Sequence, residues 1–103
     1  MAKFIFNTTF CVEDRELQIF LSWLKSDFIP SLTEKGIATD PVLSKVMAAT
    51  ELGEGISLSL QVKIDDADGL DKWQKAEWPG FESSVVSKFG RKVLFFSTVM
   101  EVL

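Results

Sequence analysis

Ile56-Ser57-Leu58-Ser59-Leu60-Gln61-Val62-Lys63-Ile64 is the stretch on which the reading of the fold turns. Apolar residues take every second position across these nine residues, a period of two that suits a half-buried strand and argues against a helix. Ile56, Leu58, Leu60, Val62 and Ile64 form the core side, and Ser57, Ser59, Gln61 and Lys63 the polar side. Just upstream, Leu52-Gly53-Glu54-Gly55 predicts a compact turn, so this strand folds back as a hairpin on Val42 to Glu51, which Pro41 introduces. Downstream, Asp65-Asp66-Ala67-Asp68-Gly69 is an acidic loop that leads into helix from about Leu70 to Phe89. Pro79-Gly80 predicts a kink or break there, and Gly90 a C-terminal cap.

Further out, Lys3 to Cys11 is aromatic and β-branched without Gly or Pro and reads as a strand. Phe4, Phe6 and Phe10 share one face, and Ile5, Asn7, Thr9 and Cys11 the other. Leu17, Phe20, Leu21, Leu24 and Phe28 then follow the stripe of an amphipathic helix, interrupted at Pro30, with Ser31 to Gly36 a further short turn of helix or a loop. On this wheel Ile19 and Trp23 fall opposite the stripe and suggest a contact surface or a patch covered by the chain terminus. Lys92 to Leu103 closes the chain as an apolar strand. The order is β-α-β-β-α-β in a single domain, 1–103. Right-handed crossovers in such a chain give an α+β, ferredoxin-like fold, a four-stranded antiparallel sheet with both helices on one face.

The outer strands do not leave a purely polar second face. Ile5 opposes Phe4 and Phe6, and Leu94, Phe96 and Met100 oppose Val93, Phe95 and Val99. Apolar residues on both faces imply that the second face is covered as well, most economically by a second copy of the chain. The expectation is a homodimer joined through the sheet face, with the two sheets making a barrel.

Composition narrows the chemistry. The chain has 103 residues with no His, no Tyr and one Cys, which excludes Ser-His-Asp and Cys-His nucleophiles, imidazole acid–base catalysis and His-held metal or haem. A net charge of −4 offers no general attraction to nucleic acid or to an anionic membrane, so neither is expected as a partner. Cys11 can form no disulfide within the chain, and Met1-Ala2-Lys3 passes directly into alternating Phe4, Phe6 and Phe10 without the apolar run of a signal peptide. A cytoplasmic placement is the expectation. Asp65, Asp66 and Asp68 lack the spacing and terminal Glu of a calcium loop, and are read as a solvated turn that caps the next helix. Gly53-Glu54-Gly55 lies in a hairpin with no helix after it and is no phosphate loop. No metal and no cofactor is expected.

Three stretches carry a resemblance over nearly the whole chain. They are Phe4-Ile5-Phe6-Asn7-Thr8-Thr9-Phe10, then Trp23-Leu24-Lys25-Ser26-Asp27-Phe28-Ile29-Pro30, and Ser87-Lys88-Phe89-Gly90 before the strand ending Glu101-Val102-Leu103. Together they resemble a family of small bacterial proteins classed as a domain of unknown function. That family is similar in turn to the dimeric α/β-barrel superfamily, with its antibiotic-biosynthesis-type monooxygenases and haem-degrading enzymes. Members often carry His after the first helix and in the second. This chain has Phe28 and no His in those regions, which removes the haem-handling role.

For candidate site residues, Asn7, Thr9, Ser57, Ser59 and Gln61 fall on the face turned away from the helices. Polar groups enclosed between two sheets must be hydrogen-bonded, either by a small ligand or by one another, water or the partner subunit. Asn7 stands out because strand interiors disfavour Asn. Trp73 and Trp78, on the second helical segment, either line a pocket or anchor the core. Cys11 reads as a buried structural thiol rather than a nucleophile. Two functions follow. The preferred one is a non-enzymatic homodimeric module with a small apolar molecule between its sheets. The alternative, by superfamily analogy, is a cofactor-independent monooxygenase in which Asn7 and Trp73 or Trp78 orient an aromatic substrate.

Overall fold

The computed structural model describes residues 2–47 and 55–103. The expected turn at Leu52-Gly53-Glu54, and the expected strand beyond Met47, lie outside the described residues. Four strands, β1 (Phe4–Val12), β2 (Ala38–Lys45), β3 (Ile56–Ile64) and β4 (Val93–Glu101), form one antiparallel sheet in the order β2-β3-β1-β4. β1 and β3 are central and pair along their whole lengths, from Phe4 with Ile64 to Val12 with Ile56. The ferredoxin-like order is therefore present, with β1 and β3 side by side and the two chain halves crossing over the same face.

That face is set by alternation. Phe6, Phe10 and Val12 of β1 and Leu58, Leu60, Val62 and Ile64 of β3 are all buried under the helices. Thr8 falls in the same row and is the exception in chemistry; its hydroxyl meets that of Ser97 on β4 at 2.9 Å, so the buried group is paired. Above them lie two helical arms. The first comprises a 3-10 turn at Asp14–Glu16, α1 (Leu17–Trp23), a π-turn at Leu24–Phe28 and α2 (Ile29–Thr33). The second comprises α3 (Ala67–Lys72), a π-turn at Trp73–Glu77 and α4 (Trp78–Phe89).

Pro30 and Pro79 each mark a break in the α-helix with further helix after it, as expected. Neither Pro30 nor Pro79 ends its arm. In an α-helix the proline ring collides with the carbonyl four residues back and its nitrogen donates nothing. Here a five-residue turn comes just before: the Ile29 amide donates to the Leu24 carbonyl and the Trp78 amide to the Trp73 carbonyl. The wider turn shifts the register so that each proline enters the first turn of a fresh α segment, and the helix continues. Both halves of the chain use the same device.

β2 departs from expectation. It begins at Ala38 rather than after Pro41, and Asp40-Pro41 form a bulge between Thr39, opposite Lys63, and Val42, opposite Gln61. Asp40 has φ +50° there. Proline within an edge strand is at home at such a bulge, which also discourages pairing by other chains. Gly90 does cap α4, with φ +57° and its amide donating to the Val86 carbonyl. Asp66 caps α3, its carboxylate accepting from the Gly69 amide at 2.7 Å, as the acidic loop implied.

Trp23 is corrected. It is half-buried, not a surface partner of Ile19; its ring lies 5.3 Å from Phe89 and 4.9 Å from Phe28. The wheel assumed that α1 has one neighbour, the sheet. It has two, and the second helical arm covers the flank on which Trp23 stands. Ile19 remains exposed.

Candidate functional site

Among the described residues, none covers the face of the sheet away from the helices. Strand register places its side chains in rows. Val42, Gln61, Asn7 and Thr98 lie abreast across β2, β3, β1 and β4, and Ser44, Ser59, Thr9 and Phe96 form the next row. Ile5 lies between Lys63 and Met100, and Cys11 between Ser57 and Leu94.

Two chemistries divide the face. On the central strands the groups are polar and tied together: Ser59 Oγ donates to Asn7 Oδ1 at 2.6 Å, and Asn7 Nδ2 donates to Thr9 Oγ1 at 3.4 Å. Asn7 thus joins two strands through its carbonyl and steadies its own strand through its amide. This offsets the poor strand propensity of asparagine. Around this strip the face is apolar. Leu94 and Phe96 are each 62% exposed, and Val42, Val46 and Met100 are also open to solvent. These residues share one face of the sheet, Val42 and Val46 along its β2 edge and Leu94, Phe96 and Met100 along its β4 edge, with the polar strip between them.

Of the expected site residues, Asn7, Thr9, Ser59 and Gln61 come together on this face, with Ser57 at its end. Trp73 and Trp78 do not join them. They lie under the helices, 1% and 6% exposed, with the ring of Phe6 between them and the sheet at 5.9 and 5.0 Å. The reason is geometric: Phe6 and Asn7 are consecutive in a strand and point to opposite faces, and both helical arms sit on the Phe6 side. Among the described residues Asn7 and the two tryptophans therefore lie on opposite sides of the sheet, and the pairing on which the monooxygenase alternative depended is not brought together. Cys11 is likewise corrected. It is exposed on the open face, its sulfur 3.6 Å from the Ser57 hydroxyl.

Sequence reasoning missed a concave region in the helix layer, where Leu32 and Ile37 meet Trp73 and Phe81. Trp73 and Glu77, four residues apart on one helix face, were the available signal; nothing in the sequence placed Leu32 beside them. Among the described residues no three His, Cys, Asp or Glu side chains are grouped so as to hold a metal ion. Among the described residues no helix is long and apolar enough to cross a membrane.

The sheet order and the paired helical arms on one face define a ferredoxin-like α+β protein. The chain belongs to the domain of unknown function family DUF4286, whose model matches residues 3–103. No curated protein matches it in sequence. Among solved structures it is similar to a dimeric ferredoxin-like protein from an uncultured marine organism, with 20% identity, a TM-score of 0.69, and 99% of this chain and 95% of that one covered. It is also similar to a monooxygenase, ActVA-Orf6 of Streptomyces coelicolor, in complex with nanaomycin D: 8% identity, TM-score 0.66, covering 99% and 88%. A nipsnap family protein with unknown function from Agrobacterium tumefaciens shows 10% identity and a TM-score of 0.64, covering 98% and 88%. At these identities the likeness is one of fold.

Proposed function

We propose that the protein is a homodimeric binding module whose two subunits pack sheet against sheet and enclose a small apolar molecule between them. The observation that carries the reading is the exposure of Leu94, Phe96, Val42 and Met100 on the one face that no helix covers. A four-stranded sheet of eight- and nine-residue strands extends about 30 Å by about 19 Å, a flat footprint of roughly 600 Å² before side-chain relief. With that relief it approaches the roughly 800 Å² per partner of a stable interface. The dimeric character named for the marine ferredoxin-like structure agrees with this reading.

The ligand part rests on the polar strip. Two sheets cannot interdigitate perfectly where Asn7, Thr9 and Ser59 of both copies meet, because these short side chains are already tied to one another. A small apolar molecule with one polar group fills that gap, walled by Phe96 and Val42 and hydrogen-bonded by Gln61. The molecule stays within the barrel and needs no metal or cofactor, and its role there is to be bound rather than transformed.

Phe96→Glu tests both parts. A charge at this position cannot be buried against a second sheet without a partner, so the variant runs as a monomer in light scattering while keeping its circular dichroism. A fluorescent apolar dye held by the wild-type dimer is released. A variant that remains dimeric and keeps the dye would overturn the proposal.

A further inference from the structure

The helix side of the sheet carries a concave site at its β2 edge, across the sheet from the uncovered face just described. A cavity of about 210 Å³ lies where α1 passes over the Lys45 end of β2 and the Ile56 end of β3. Leu17 and Leu21 of α1 form one wall, and Leu43, Ile56 and Leu58 of the sheet form the other. Leu58 is the most deeply set, 3% exposed. No aromatic ring lines the cavity, although the rest of the helix layer is built on Trp and Phe rings.

Two lysines complete the lining. Leu17, Leu21 and Lys25 follow one another at intervals of four residues and share one helical flank. Lys45 pairs in register with Leu58, which puts it on the helix side of the sheet. Among the described residues neither lysine meets a carboxylate, whereas Lys35, Lys63, Lys75 and Lys92 each do. Acidic residues outnumber basic ones 15 to 11 in this chain, so two cations together without an acid single out this cavity as a place for an anion from outside. Lysine stems lie along apolar surface while their ammonium groups stay hydrated. An anion held by them therefore sits at the mouth, and any apolar part of the same molecule extends along the leucine and isoleucine walls.

We propose that this cavity binds a medium-chain aliphatic carboxylate. Its two oxygens accept from the ammonium groups of Lys25 and Lys45, and its tail packs against Leu17, Leu21, Leu43 and Ile56, without any covalent change. Since roughly 150 Å³ holds a six-carbon ring, this volume holds a chain of about eight carbons. A neutral alcohol of that length forgoes the charge-assisted hydrogen bonds, and an alkylammonium meets charge of its own sign.

The test uses octanoate, octan-1-ol and octylammonium as probes of the full chain, followed by carbon–proton correlation of the Leu, Ile and Val methyl groups. Expected is saturable binding of octanoate that moves the methyl signals of Leu17, Leu21, Leu43 and Ile56 and leaves those of Val42 and Leu94, on the uncovered face, in place. Octan-1-ol binds the same site about fivefold more weakly, and octylammonium does not bind. The exposed pair is then changed together, Lys25→Gln with Lys45→Gln, which brings octanoate down to the affinity of octan-1-ol and leaves octan-1-ol as it was. Phe96→Glu, on the other face of the sheet, leaves octanoate binding unchanged. That control separates this site from the proposed interface, whose failure would not move it. Equal affinity for octanoate and octan-1-ol, a double variant that keeps its octanoate affinity, or shifts that fall on Val42 and Leu94 instead would overturn the proposal.

Discussion

At the scale of single residues, Gly55 carries the most backbone constraint. It opens β3 at φ +100°, and a Cβ there would stand 2.5 Å from the Val12 carbonyl oxygen. Both the conformation and the contact require glycine. Gly55→Ala is expected to cost roughly 2 kcal/mol, read as a lower denaturation midpoint with an unchanged denaturant slope. Asn7 works by its side chain instead. Asn7→Ala removes the acceptor of the 2.6 Å bond from Ser59 and costs about 1 kcal/mol by the same measurement. Asn7→Asp keeps that acceptor. If the alanine variant were as stable as wild type, the Ser59 bond would contribute nothing net to the sheet.

At the scale of elements, the two helical arms are built alike, each a short α segment, a π-turn and a proline that begins the next segment. The start of the second arm depends on Asp66, whose carboxylate takes the Gly69 amide. Asp66→Ala is expected to cost about 1 kcal/mol and to speed hydrogen exchange at Gly69 before exchange changes at Val85. Uniform exchange across the arm would contradict the cap's local role. The strands were legible because alternation is local: Phe4 to Phe10 and Ile56 to Ile64 assign their own faces. The helical arms were less so. The widened turn before each proline depends on a register shift that composition does not display. The site of Trp23 depends on how two arms lie against each other. The separation of Asn7 from Trp73 was in principle readable, since helices that cover the Phe6 side cannot also reach Asn7; the expectation of a shared pocket overlooked that parity. Cys11 was taken as buried because thiols usually are, although its own strand position put it on the open face.

At the scale of the whole molecule, one layer of helices covers one side of one sheet, and the other side is left with exposed leucine, phenylalanine, valine and methionine around a hydrogen-bonded polar strip. The central claim is that a second copy covers that side. Sedimentation equilibrium at micromolar concentration and moderate salt measures this most directly. The account predicts a mass of twice 11.6 kDa, independent of salt because the interface is apolar rather than ionic. A stable species of the single-chain mass across that range would contradict it.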